Sequence, residues 1–262
     1  MPRLDVFCTH LYYEDTGQVS RPEDTLVLVH GFGDSGLLWK AQVENFRDRY
    51  RVVTMDMRGH ARSGAPEELG LYTQDQVVED VRAIMDRVGA YKAIMGGHSL
   101  GGYTVMRFYQ RYPERVRALI LSGTGPGYRR MEGAKQWTQM NEEAVAQWES
   151  RGLDTVVDAR KEDIGRHGGQ EPIHHTLRGL AYVRRGVMRM PPLVDPTLID
   201  VPLIVLAGEK DEPFLGSSNY IATKAPKETG PIIIKGASHW ANFDDPRAWN
   251  AAVDEFLAGL SY

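Results

Sequence analysis

A single cysteine, Cys8, occurs in 262 residues, so no intramolecular disulfide can form and no cysteine cluster can hold a metal. No apolar run approaches the ~20 residues needed to span a bilayer. The N-terminal MPRLDVFCTH has neither the apolar core nor the small-residue cleavage site of a signal peptide. Charge of one sign is never blocked together and the net charge is only −4, so nothing offers nucleic acid or an anionic membrane an electrostatic footprint. Internal repeats and low-complexity segments are also missing. These absences predict a cytoplasmic protein without a membrane or nucleic-acid partner, and the chemistry read below calls for no metal or organic cofactor.

The chain has an ordinary mix of 42% hydrophobic and 25% charged residues. Its length is great for one simple domain and small for two, which suits one α/β domain with an insertion. Residues 4–19 alternate loosely and predict a β-hairpin ending at Thr16-Gly17, followed by a polar turn over 20–25. TLVLVHG (25–31) is a branched apolar run without alternation, as in a parallel strand buried on both faces. The glycine-rich loop HGFGDSG and a helix over 37–50 follow it. RVVTMD (51–56) is the next strand, running into MRGHARSG. Residues 73–88 have a helical apolar spacing, a Thr73/Gln76 capping pair and a closing Gly89. YKAIMG, GGHSLGG and a helix over 100–112 stopped by Pro113 come next, then RALILSG (117–123).

From 124 to 200 the strand rhythm stops. Helical pieces are expected around 131–150, 153–163 and 173–189. Strands return with VPLIVLAG (201–208) and PIIIKG (231–236). A last helix starts with Asp245 as N-cap and Pro246 at its first position. The prediction is a mostly parallel, doubly wound sheet formed by 1–123 and 201–262, with 124–200 as an inserted helical cap.

The chemistry is concentrated in GGHSLGG. Gly97-His98-Ser99-Leu100-Gly101 fits G-x-S-x-G, a strand-to-helix turn that lifts a serine hydroxyl from the sheet. Gly97 and Gly101 are required because a Cβ at either would strike the adjoining strand or helix. A serine needs a general base, and the base needs an orienting acid, in the order Ser, Asp/Glu, His for this kind of sheet. Asp211 follows PLIVLAG and His239 follows PIIIKG, so both lie just past strand ends. Glu209 is a rival for the acid. The oxyanion requires donors: the N–H of Leu100 at a helix N-terminus, and an N–H from the loop after TLVLV, where Phe32 stands. The adjacent His174 and His175, if helical, diverge by about 100° and suit one metal poorly. His60 reads as a brace for its glycine turn.

HGFGDSG, DMRGHARSG, GGHSLGG, LAGEKD and GASHWANFDDP, in this order and spacing, resemble the α/β-hydrolase superfamily. The resemblance is to serine-nucleophile members with a helical cap: small esterases, lactonases and carbon–carbon bond hydrolases. It implies an α/β-hydrolase fold with an eight-stranded sheet. It further implies Ser99 as nucleophile, Asp211 as acid, His239 as base, and Phe32 and Leu100 as oxyanion donors. Epoxide hydrolases and haloalkane dehalogenases of this fold carry an aspartate where Ser99 stands, so those reactions are disfavoured.

The expected activity is cleavage of a small, largely apolar carboxylic ester or lactone. Alternatives are cleavage of a carbon–carbon bond next to a ketone by the same triad and, in a different class, ligand sensing without turnover. Candidate pocket residues are Trp137, Trp148, Tyr182, Met188 and Trp240. The basic stretch Arg178, Arg184, Arg185 and Arg189 would favour the carbon–carbon reading if it faced the pocket.

Overall fold

Strand β3 (Thr25–Val29) is buried at every residue, and its side chains divide between two cores. Leu26 and Leu28 join one apolar cluster, while Val27 and Val29 join the other. That two-sided burial is why the run shows no polar alternation. A computed structural model describes residues 3–17, 24–159 and 173–260.

The hairpin is formed by β1 (Arg3–Val6) and β2 (Thr9–Asp15), paired antiparallel. Its two-residue turn uses Cys8 at φ 57. The remaining strands of the sheet are β4 (Arg51–Asp56), β5 (Ala93–His98), β6 (Val116–Ser122), β9 (Leu203–Gly208) and β10 (Glu228–Ile234). The eight-stranded order is β1-β2-β4-β3-β5-β6-β9-β10, and the run from β4 to β10 is parallel. The expected doubly wound, eight-stranded sheet is present. The polar turn expected over 20–25 lies mostly outside the described residues.

Helices cover both faces. On one face are α1 (Lys40–Phe46) and α8 (Pro246–Ala258), with Trp39 and Trp249 packed at a 5.8 Å ring separation. On the other are α2 (Gln74–Val88), α3 (Leu100–Arg111) and α6 (Glu212–Lys224). Local signals explain their ends. Thr73 accepts from the Gln76 N–H and Gly89 closes α2 at φ 71, while Asp245 accepts from the Ala248 N–H at the start of α8. The helix expected over 37–50 is shorter. Gly36–Trp39 forms a 3₁₀ turn capped by Ser35, which accepts from the Leu37 N–H, while the Gly36 N–H donates to Asp56 Oδ1 at 2.7 Å, and α1 ends at Phe46.

Between β6 and β9 the chain forms α4 (Met131–Glu149), β7 (Val156–Asp158), β8 (His174–Thr176) and α5 (Leu177–Tyr182). The expectation of helix around 153–163 and 173–189 needs correction. β7 and β8 pair antiparallel, and helix starts only at Leu177, where Thr176 accepts from the Gly179 N–H. A π turn, Val183–Val187, completes this helix. Residues 160–163 of the first expected helix lie outside the described residues. Short α7 (Ala241–Asp244) precedes α8.

Candidate active site

Because β3, β4, β5, β6, β9 and β10 are parallel, the loops after their carboxyl ends all emerge on one rim. Ser99 follows β5, Asp211 follows β9 and His239 follows β10. Ser99 adopts φ 52, ψ −116, a conformation a non-glycine residue rarely accepts. The surrounding backbone enforces it. The Ser99 N–H donates to Ser122 at 3.0 Å, and Thr124 Oγ1 donates to the Ser99 carbonyl at 2.7 Å. A Cβ on Gly97 would run into the Gly101 backbone, and one on Gly101 into the Val29 carbonyl. Helix and strand therefore approach as closely as the G-x-S-x-G reading requires.

His239 and Asp211 meet directly, with Nδ1 2.9 Å from Oδ2. The Asp211 side chain is 1% exposed and that of His239 20%, so the acid is shielded while the imidazole reaches the site. Glu209 is placed otherwise: its Oε2 accepts from the Gly236 N–H at 2.8 Å on the exposed surface. The loop after β6 links the three groups. A Cβ on Gly123 would lie 3.2 Å from both Asp211 Oδ2 and His239 Nδ1, one residue from the bond to Ser99.

Leu100 opens α3, so its N–H has no intrahelical acceptor and points from the helix N-terminus. Gly31 brings the β3 loop against the elbow, since its Cβ would stand 3.2 Å from Ser99 Cβ. Phe32 follows, its ring edge-on to His60 at 5.7 Å and stacked on Trp148 at 6.3 Å. His60 braces this loop, with His30 at 5.0 Å and His175 at 5.6 Å. His175 also ties two loops together, accepting from the Ala61 N–H at 3.0 Å and reaching the Gly33 carbonyl at 2.9 Å. Burial pushes His30 and His60 down to about 3, so both are neutral near pH 7. His98 is likewise held well below the usual imidazole range, by burial first and by neighbouring His239 second.

A cavity of about 420 Å³ opens at Ser99 and Leu100. Of the candidate pocket residues, Trp137 and Met188 line it. Trp148, Tyr182 and Trp240 do not. Trp148 packs on Phe32, Tyr182 packs edge-on against Tyr72 at 5.4 Å, and Trp240 donates to Asp34 at 3.2 Å. The walls also include Gln74, Tyr103, Phe214 and Ser217, which sequence reasoning missed. Phe214 alone had a legible cue, three residues after Asp211 and so one helical turn above the acid. Among the described residues no cluster of metal-ligating side chains occurs and no helix is long and apolar enough to cross a membrane.

None of the four basic residues faces this cavity. Arg178 pairs with Asp154, and Arg185 pairs with Glu142 and Glu149. Arg184 lies over the Phe32 ring at 4.4 Å, bonded to Asn141 at 2.6 Å, and burial lowers it to about 10. The feature that would have favoured carbon–carbon cleavage is therefore missing from the cavity wall.

A parallel sheet with a strained serine on one strand end and a His–Asp pair on two others defines the class. Residues 24–185 match the family model described as alpha/beta hydrolase fold, more than half of the chain. The chain belongs to the alpha/beta hydrolase fold family and is a hydrolase. It is 28% identical to a Bacillus subtilis protein named provisionally as 2-succinyl-6-hydroxy-2,4-cyclohexadiene-1-carboxylate synthase, over 90% of this chain and 91% of that one. It is 27% identical to 3-oxoadipate enol-lactonase 2 of Acinetobacter baylyi, over 94% and 92%. A thermophilic esterase from Thermogutta terrifontis shares the fold at a TM-score of 0.78 and 24% identity, covering 97% of this chain and 95% of that one.

Proposed function

We propose that the chain cleaves a small, largely apolar carboxylic ester or lactone, with Ser99 as nucleophile, His239 as base and Asp211 as its orienting acid. The observation that carries this is the 2.9 Å His239–Asp211 pair on the rim that also presents Ser99 in its strained turn. The buried carboxylate fixes the imidazole tautomer, Nδ1–H toward Asp211, leaving Nε2 free to take a proton. Ser99 Oγ attacks the carbonyl carbon as its proton passes to His239. The oxyanion rests on the N–H groups of Leu100 and Phe32. His239 returns the proton to the leaving alcohol, and water repeats the sequence on the acyl-enzyme.

Serine in place of an aspartate supports this reading over epoxide opening. The likeness to an enol-lactonase over nearly the whole chain supports lactones among the substrates. Segment 124–200 serves as the cap. It supplies Tyr128, Trp137 and Met188 to the cavity, while Ser99 and Leu100 come from the sheet side.

p-Nitrophenyl esters of graded acyl length, assayed beside a small panel of lactones, test the proposal. Turnover should rise with acyl length and then fall once the group outgrows a cavity of about 420 Å³. Folded protein that turns over neither substrate class contradicts it.

A further inference from the structure

Phe214 belongs to two parts of the site at once. It lies in the first turn of α6, and its N–H donates to the Asp211 carbonyl at 3.0 Å, so its place is fixed relative to the acid. Its ring stacks on the His239 imidazole, with centroids 4.6 Å apart and planes inclined by 26°. The same residue lines the cavity that opens at Ser99. His239 has two further ring neighbours, His98 at 4.6 Å and Trp240 at 5.1 Å, but neither lines the cavity.

A single hydrogen bond from Nδ1 to Asp211 anchors one edge of the imidazole. It leaves the tilt of the ring about that anchor unset. Of these three ring neighbours Phe214 is the one stacked on the imidazole face, at 26° against 56° for His98 and 79° for Trp240, so its ring sets the tilt and with it the direction of Nε2. We propose that Phe214 is a positioning residue for His239, and that an apolar acyl group filling the cavity packs against it and so improves alignment of the base. The inference rests on the reading of Ser99 and His239 given above. Under it, acyl length acts on the chemical step as well as on binding. Aromatic stacking of this kind is worth roughly 2- to 12-fold in an equilibrium, and a misplaced catalytic group loses as much as ~10²-fold in rate.

The test compares wild type with Phe214→Leu and Phe214→Tyr. Two quantities are read: the rate at which a compact fluorophosphonate labels Ser99, and kcat and KM for acetyl and octanoyl esters. Phe214→Leu should slow labelling by about tenfold and lower kcat for both esters. It should also abolish the rise in kcat with acyl length. Phe214→Tyr, which keeps the ring face, should restore most of the rate. If Phe214→Leu raises KM for the octanoyl ester alone, with labelling and acetyl kcat unchanged, Phe214 is only a pocket wall and the inference is overturned. Should the Leu variant not fold, Phe214→Met, flexible and without a ring face, carries the same comparison. Failure to label Ser99 in wild type sinks the parent reading instead, so the two failures are distinct.

Discussion

The imidazole of His239 and the carboxylate of Asp211 meet at 2.9 Å, joining the loops after two neighbouring parallel strands. Glu209 lies two residues from Asp211 in sequence but bonds outward to the Gly236 N–H. Asp211→Asn should lower kcat by about 10⁴, because the amide favours the wrong imidazole tautomer. Glu209→Gln should leave kcat within a few-fold. Steady-state kinetics of the two variants decide this, and the reverse order would move the acid role to Glu209.

The elbow makes a steric prediction. Gly101→Ala places a methyl group against the Val29 and His30 carbonyls, backbone that cannot turn aside. The variant should be destabilised by about 1–3 kcal/mol or fail to fold. Gly70→Ala, with nothing within 4 Å of its Cβ, is the matched control and should be neutral or slightly stabilising. Urea unfolding of the pair measures the difference.

The ion pair of Arg58 and Asp80 is wholly enclosed, with side chains 0% and 1% exposed and bonds of 2.5 and 2.6 Å. Asp80→Asn leaves a buried guanidinium uncompensated and should cost about 3–5 kcal/mol. Replacing both partners by apolar residues of similar volume should cost much less. A double-mutant cycle read by denaturant unfolding tests this, and an equal loss in the double variant would contradict it.

Acid should weaken the fold through the histidines behind the β3 loop. His30 and His60 are pushed down to about 3 by burial, whereas the unfolded chain titrates them near the usual 6.5. A depressed folded value means that the unfolded state binds protons first as pH falls. Their contribution is therefore complete above pH 6.5 and is lost progressively between pH 6.5 and 3. Each group adds up to ~1.4 kcal/mol per pH unit to the slope in that window. His60→Asn should remove about one proton's worth of slope near pH 5, measured by urea unfolding across pH. An unchanged slope would show that His60 is already protonated in the folded protein.

Sequence carried the sheet well because its signals are local and dense. β3, β4, β6 and β9 each announce themselves as branched apolar runs, and Gly97 and Gly101 mark the elbow whatever surrounds them. The segment between β6 and β9 was harder to read. Three residues of β7 and three of β8 are too few to establish a period of two, and each exists only through pairing with the other. The cavity wall was harder still. Tyr103, Phe214 and Gln74 come from three different helices, and nothing in the spacing of any one helix says that it faces the others. Trp148 and Tyr182 were plausible by residue type, yet Phe32 and Tyr72 had already taken their apolar faces.

The assignment of Ser99 is tested most directly by covalent labelling. Wild-type protein is treated with a fluorophosphonate and the adduct mapped by peptide mass spectrometry. A single adduct on Ser99, abolished in Ser99→Ala and slowed by several orders of magnitude in folded His239→Ala, is the predicted result. An adduct on another residue, or folded protein that resists labelling altogether, would contradict the account.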